Sequence, residues 1–494
     1  MLSHTPRALV APTEPYPLDR ATWEDQVRPG VLATFGEQIY GEKPDGEIDL
    51  TWQVREEGEP GKFIRLSKPG RPGKPSTPGK PSRPGKPSSP GRPGKPSDLS
   101  TPGTSSHSTT GQVRRQIELR LTGPLGEMTL TLLVYLPAVR TAVVPAFLGL
   151  NFGGNHTTTT DRRVLRTDLP QQNTGPGAGP ARRLRRASRR GSKAGRWPYR
   201  LATDRGYAVI TAGYLQVGPD HGGIFFRGPH RLFGPAPAGA AAGSGAVGAA
   251  GGGPAGEVAR TATDAAGADA PGADAAGADL TPAGGDRRLH RWGAIGMWAW
   301  ALSRVMDGLQ QGMIPEVDPD RVIAMGHSRL GKTALWAAAS DERFAAVISN
   351  NSGCMGAAAS REVGETPEVL ARVRPYWFAP AFARQVLGGQ PLPVDQHQLL
   401  ACIAPRPLYV ASASEDRGAD PEGEFASWHT ARQVWGLYDY PAGPVPMPAP
   451  GGAVSGDGAP LGYHLRAGGH DVTPSDWHHW LDFADRWVAQ RPRA

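Results

Sequence analysis

Cysteine is nearly missing from this chain: Cys354 and Cys402 are the only two thiols in 494 residues. So few exclude a disulfide-stapled scaffold, and no Cys/His spacing of the zinc-binding kind accompanies them. Both sit in apolar surroundings and read as small buried hydrophobes, with a disulfide between them left open. His478 and His479 are adjacent on a terminal helix, face different directions and read as surface residues. No metal and no cofactor is expected. Long apolar runs are lacking too, and none reaches membrane-spanning length. The first residues, Met1 to Pro12, have no uninterrupted hydrophobic stretch, so no signal peptide is expected. On that ground the chain reads as cytoplasmic, with an extracellular site open if the start is misassigned.

Glycine and proline are plentiful, 66 and 50 residues, and they are concentrated. Residues 67–111 repeat a Lys/Arg-Pro-Gly-Lys-Pro-Ser unit without an apolar residue before Leu99. Such a segment cannot bury enough surface to offset chain entropy, and an extended, polyproline-like state is expected. Residues 234–287 form a Gly/Ala-rich insert expected to be disordered as well, and residues 441–460 a third, Pro/Gly-rich loop. The cations Lys68, Arg71, Lys74, Lys80, Arg83, Lys86, Arg92 and Lys95 equal in number the formal net charge of +8. A second basic run extends from Arg182 to Arg200. Basicity therefore belongs to appendages on a near-neutral body. It implies either contact with anionic surfaces or a solvated linker. Aromatic residues are absent from the repeats, which argues against base stacking and hence against specific nucleic-acid binding.

The apolar run Arg321–Met325 suits a buried parallel strand, and the Ala/Leu/Trp run after Lys332 suits a helix on a sheet. Between them lies Gly326-His-Ser328-Arg-Leu-Gly331. A glycine two places before a serine at a strand-to-helix turn is a nucleophile elbow, which lifts the hydroxyl above an α/β-hydrolase sheet. The common pattern is G-x-S-x-G; here Leu330 takes the last position and Gly331 follows one place late. Such folds carry Ser, then an acid, then His along the chain. Downstream, the run Arg406–Ser412 reads as a strand that exits into Glu415-Asp416. The Gly468-Gly-His470 turn then precedes a helix from Pro474, with Trp477, Trp480, Phe483 and Trp487 at helical spacing. Ser328 is thus the candidate nucleophile, and His470 the candidate base ahead of His464, which lies in a strand-like run. Asp416 is favoured as the acid over Glu415, with Asp420 third, and Asp471 is expected to cap the following helix or support the turn.

Around these residues the chain resembles the bacterial glucuronoyl esterases, carbohydrate esterase family fifteen. The resemblance rests on Gly326–Trp336, Ser349–Cys354, Leu392–His397, Ile403–Pro407, Ala413–Asp416, Ala419–Pro421 and Gly468–Thr473. Upstream it includes Leu148–His156, Trp292–Ser303, and the stretch with Trp23, Arg28-Pro-Gly and Ile39-Tyr-Gly41. The resemblance implies a three-layer α/β-hydrolase sandwich with a mostly parallel sheet, a single catalytic domain over residues 1–494, and Ser328 and His470 as nucleophile and base. It further implies Arg329 as an oxyanion ligand, and Lys332 and Glu365 as sugar-binding residues. Read without it, Lys332 and Glu365 are ordinary surface charges. Two departures stand out. Fungal members place their acid after the strand that follows the elbow helix, where this chain has Asn350-Asn351-Ser352-Gly353. Bacterial members usually carry a sugar-packing tryptophan two places after the aspartate, where this chain has Gly418; Trp377 and Trp428 are the candidates to fill that space.

The implied activity is serine carboxylesterase hydrolysis of uronic-acid esters, of the 4-O-methyl-glucuronoyl methylesterase kind. The substrate would be a small molecule or an oligosaccharide ester. An acetyl xylan or acetyl sugar esterase is the enzymatic alternative. A non-catalytic binding protein that docks through its basic Pro-rich arm is the alternative of another class.

Overall fold

The structure is a computed structural model that describes residues 19–44, 46–58, 111–140, 142–167, 189–224, 228–233, 292–361, 363–455 and 458–490. The inserts expected at 67–111 (Gly111 apart) and 234–287 lie outside the described residues.

Ten strands form one sheet: β1 (Asp49–Gly58), β2 (Gln112–Gly123), β3 (Gly126–Pro137), β4 (Val144–Asn151), β5 (Ala208–Gly213), β6 (Val317–His327), β7 (Ala346–Asn350), β8 (Leu408–Ala413), β9 (Ala453–Ser455) and β10 (Leu461–Arg466). Their order is β1-β2-β3-β5-β4-β6-β7-β8-β10-β9. From β5 to β10 every neighbour is parallel, while β1, β2, β3 and β9 pair antiparallel at the two ends. This is the mostly parallel α/β-hydrolase sheet that the strand–turn–helix reading implied.

Strict alternation along β6 divides the core. Val322 and Ala324 face the layer that holds the helices Ala294–Gln310, Arg329–Ser340, Gln396–Ala401 and Pro421–Gly436. Ile323 and Met325 face the layer built by Tyr199–Asp204 and Pro474–Ala484, where Trp477 and Trp480 are wholly buried. Parallel strands buried on both faces read as continuous apolar runs for this reason. A helical segment over 20–40 braces the elbow side: the Tyr40 ring lies 4.9 Å from Trp336, and its hydroxyl donates to Met355 O at 3.0 Å.

Some expectations change in detail. The stretch 441–460 is not wholly a loop, because Ala453–Ser455 returns along β10 as an edge strand. Cys354 and Cys402 are buried and free, so no disulfide joins them. His478 is exposed, but His479 is half-buried and stacks on His464 at 4.5 Å. The end of the second basic run is not a free appendage. Arg190 donates to Asp161 O and Val164 O, and Arg196 pairs with Asp471 at 2.5 Å. No helix among the described residues is long and apolar enough to cross a membrane.

Candidate active site

The elbow is as tight as its glycine requires. A Cβ at Gly326 would stand 1.8 Å from Leu330 O, so only glycine lets the incoming strand pass the first helical turn. Ser328 itself has φ 57° and ψ −132°, a strained conformation at the head of the helix Arg329–Ser340. The late glycine also has a cause. A Cβ at Gly331 would come within 2.9 Å of Ser352 Cβ and 3.1 Å of Ser349 Oγ, so the close approach is to the exit of β7. Leu330 meanwhile is buried in the core.

His470 sits in the turn after β10, and its Nδ1 hydrogen-bonds Asp416 Oδ2 at 2.5 Å. Its ring lies 4.5 Å from that of His327, the residue next to Ser328. The carboxylate fixes the proton on Nδ1 and leaves Nε2 as the basic nitrogen. Asp416 is buried at the exit of β8 and accepts a second bond from Asn351 Nδ2 at 2.7 Å. Burial works to raise its pKa, but the hydrogen bonds and charge of His470, with Asn351, outweigh it and hold the group below its ordinary value. Asn351 is one of the two asparagines at the exit of β7, where the resemblance implies an acid in fungal members. Sequence reasoning saw only a missing carboxylate there and overlooked the donor. Its neighbour Asn350 accepts from His327 Nδ1 through Oδ1 at 2.6 Å.

The competing residues are accounted for. His464 is buried in β10, where Nε2 meets Asp476 Oδ1 at 2.8 Å and Nδ1 the Tyr409 hydroxyl at 3.0 Å, so its ring is occupied within the core. Glu415 is exposed. Asp420 caps the helix Pro421–Gly436 through Gly423 N and pairs with Arg361 at 3.4 Å. Asp471 does not cap the last helix: Thr473 does, in a capping box with Asp476, while Asp471 accepts from Val472 N at 2.8 Å within the turn.

Arg329 is the second centre of the site. Its guanidinium is held by the buried Asp220, which also accepts from Trp377 Nε1 at 2.8 Å, Tyr214 OH at 2.9 Å and Tyr376 OH at 3.2 Å. The guanidinium carbon lies 5.0 Å from the Trp377 ring and 5.6 Å from the Phe152 ring, so aromatic faces bracket the charge. Nε is buried without a partner among the described residues. Asp220 was missed because it belongs to a short loop after β5, with no motif to mark it.

Lys332, one turn past Ser328, is buried rather than exposed. Its ammonium donates to Ser352 O, lies 3.5 Å from Glu365 Oε2 and 5.9 Å from the Trp377 ring. Lys332, Glu365 and an aromatic ring therefore do converge near the elbow. The aromatic is Trp377, since Trp428 lies in the core against Phe425 and Tyr463. Gly418 is exposed, and a Cβ there would meet nothing nearer than Asp416 Oδ1 at 3.7 Å, so the position is open space. A second overlooked residue is Glu424, wholly buried, which accepts from Gly353 N at 2.9 Å, Ser352 Oγ at 3.2 Å and Ser412 Oγ at 2.6 Å. Burial, helped by Asp416, pushes its pKa up to about 7. No cluster able to hold a metal ion occurs among the described residues.

The family model described as "Glucuronyl esterase, fungi" matches residues 287–438. A carbohydrate esterase, MZ0003, from an unknown prokaryotic organism is 35% identical over 375 residues, 76% of this chain and 74% of that one. 4-O-methyl-glucuronoyl methylesterase 1 of Sodiomyces alcalophilus is 33% identical over 154 residues, 30% of this chain and 31% of its own. The solved glucuronoyl esterase of Solibacter usitatus superposes with a TM-score of 0.65 at 29% identity and covers 94% of this chain and 93% of its own. With the identity to the prokaryotic relative spread over three quarters of both chains, this protein belongs to the glucuronoyl esterases of carbohydrate esterase family fifteen and is a carboxylic ester hydrolase.

Proposed function

We propose that the protein hydrolyses esters of uronic acids, such as methyl 4-O-methyl-glucuronate, through a Ser328–His470–Asp416 triad and an acyl-enzyme, within one catalytic domain spanning residues 1–494. The observation that carries it is the His470–Asp416 hydrogen bond at 2.5 Å, with the His470 ring 4.5 Å from that of His327, the residue before the strained elbow serine. The name of the Sodiomyces relative supports the substrate class.

Ser328 Oγ attacks the ester carbonyl carbon while His470 Nε2 takes its proton. Asp416 keeps the imidazole oriented and stabilises its charged form. The tetrahedral oxyanion meets the unpaired amides at the start of the elbow helix and the Arg329 guanidinium, whose position Asp220 and two aromatic rings fix in advance. Each such donor is worth about 3–4 kcal/mol of barrier lowering. Collapse breaks the bond to the alcohol oxygen, which leaves with the proton from His470. Water then adds to the acyl carbon, with His470 again the base, and the uronic acid departs. Lys332 and Glu365 offer a donor and an acceptor to sugar hydroxyls beside Trp377.

The test is a matched pair of substrates. Methyl glucuronate ester and an acetylated sugar are each offered to the wild type and to Ser328→Ala. Hydrolysis of the glucuronate ester is expected to fall at least about 10⁴-fold in the variant. Mass spectrometry of His470→Ala after mixing with substrate is expected to find no acyl adduct on Ser328. Undiminished hydrolysis by Ser328→Ala overturns the triad, and a clear preference for the acetyl ester overturns the substrate class.

A further inference from the structure

Arg466 ends β10 and turns its guanidinium back into the loop that carries His470. Nη2 donates to Gly469 O at 2.6 Å and to Asp471 O at 3.0 Å, the carbonyls on either side of the histidine. Nη1 donates to Ala467 O at 3.0 Å. Nε meets the Asp476 carboxylate at 3.2 Å from Oδ1 and 3.1 Å from Oδ2. The turn is wound around this fork: Gly468 has φ +105°, and a Cβ there would stand 3.2 Å from Nη1.

The anchor beneath is rigid. Asp476 is wholly buried and also accepts from Thr473 N at 2.7 Å, Thr473 Oγ1 at 2.8 Å and His464 Nε2 at 2.8 Å. It therefore ties the start of the last helix, β10 and Arg466 into one unit. Gly468 O in turn accepts from Glu415 N at 2.9 Å, which joins this turn to the loop that presents Asp416. Among the described residues, the His470 side chain hydrogen-bonds Asp416 alone, from a turn that contains two glycines and lies at the surface, so local sequence does little to hold it.

We propose that Arg466 is a positioning residue for hydrolysis: its fork, seated on Asp476, clamps the two carbonyls that flank His470 and so fixes the imidazole over Ser328. The proposal rests on His470 being the base. Arginine is needed because a planar fork satisfies several carbonyls and a carboxylate at once, whereas an ammonium is a point donor. A displacement of about 1 Å at a reacting group costs about 100-fold in rate.

The experiment compares Arg466→Ala, Arg466→Lys and His470→Ala on methyl glucuronate ester, with kcat and KM measured separately and folding followed by circular dichroism. Arg466→Ala is expected to lose about 100-fold in kcat, with KM within about twofold of the wild type. Added guanidinium ion is expected to restore at least about tenfold of that loss, whereas urea, neutral and of the same shape, restores none. Arg466→Lys keeps the cation against Asp476 and carries the test if the alanine variant does not fold; about a tenfold fall in kcat at unchanged KM is expected. Wild-type kcat in either variant, or a loss in Arg466→Ala that urea relieves as well as guanidinium, overturns the proposal. His470→Ala separates this from the reading beneath it. If that variant stays active the triad itself is wrong; if it is inactive while the Arg466 variants are not, only the clamp is.

Discussion

Asp220→Asn is the most informative single change in this site. The Asp220 side chain is 2% exposed and that of Arg329 13%, and the substitution removes the charge that compensates the guanidinium while leaving the side chain's shape. At an effective dielectric of about 20, two charges about 4 Å apart interact by about 4 kcal/mol. Removing one member of a buried pair is measured at about 3–5 kcal/mol, because the other is left uncompensated. The two figures agree. Asparagine keeps an oxygen for Trp377 Nε1 and Tyr376, but it turns an N–H toward Arg329 or the Tyr214 hydroxyl. Unfolding in urea should therefore give a stability about 3–5 kcal/mol below the wild type. Hydrolysis should fall by about 10–100-fold in kcat, since Arg329 is no longer fixed before the oxyanion forms.

Adding Arg329→Met to Asp220→Asn removes the orphaned charge as well. The double variant should be more stable than Asp220→Asn alone by at least about 2 kcal/mol, the coupling that a double-mutant cycle isolates. Acid supplies an independent check. Burial opposes the Asp220 carboxylate, yet Arg329, Trp377 and Tyr214 hold its pKa below the ordinary value. Its stabilising contribution is thus present above the usual carboxylate range and lost as pH falls through the lowered folded value. The gap between wild type and Asp220→Asn should narrow there. A single variant within about 0.5 kcal/mol of the wild type at neutral pH would refute the pairing energetics, as would strict additivity in the cycle.

Asp416→Asn should lower kcat by about 10⁴-fold through loss of the correct imidazole tautomer, whereas Glu415→Gln should leave it unchanged; the reverse pattern in a rate assay would exchange their roles. Glu424 titrates upward, toward about 7, so the folded state binds the proton more tightly than the unfolded chain. Its stabilising effect is complete below the unfolded pKa and is lost as pH rises through about 7, an effect of about 3 kcal/mol. Glu424→Gln should remove that slope in denaturation curves collected from pH 4 to about 8, and an unchanged slope would place the titration elsewhere. Gly418→Trp has open space to enter, and a sugar-packing ring there should lower KM for glucuronate esters by about 1–2 kcal/mol of binding; a raised KM would mean that the space belongs to the substrate.

The parts legible in sequence were those fixed by local chemistry. Gly326 before Ser328 announces the elbow because no side chain fits against Leu330 O. His470 could be set ahead of His464 because it lies beyond β10 and not within it, whereas Glu415 and Asp416 both follow β8 and their order rested on the expected exit position alone. What stayed hidden depends on long-range contact. Asp220 lies 109 residues before Arg329, in a loop with no periodicity or motif. Glu424 occupies the first turn of a helix, where an acid ordinarily faces water and favours the helix dipole, and only the closeness of Ser352 and Ser412 makes it internal. Lys332 looked like a helix surface charge for the same reason: its burial comes from the Ser352 carbonyl and Trp377, on segments that the chain reaches later. The edge strand Ala453–Ser455 was hidden among prolines and glycines, since three residues are too few to display an alternation.

That the proposed acid can follow β8, when the resemblance implies one after β7 in fungal members, also has a physical basis. The two strands are parallel neighbours in register, Asn350 beside Ala411, and Asn351 N donates to Ala411 O at 2.8 Å. Loops leaving adjacent parallel strands at the same end reach the same space, so a carboxylate from either can meet one imidazole. What the vacated position must then supply is not nothing. A buried aspartate with a single partner would be left with oxygens short of donors, at a cost of about 1–3 kcal/mol. Asn351, held at φ 46° in a conformation that asparagine tolerates better than most residues, turns its amide to Asp416 Oδ2. The other oxygen of Asp416, Oδ1, accepts a long bond from Ala419 N at 3.4 Å. The residue at the position where the resemblance implies an acid in fungal members thus donates to the proposed acid next door. That exchange of acceptor for donor keeps Asp416 ionised in a buried site without a second negative charge beside the histidine.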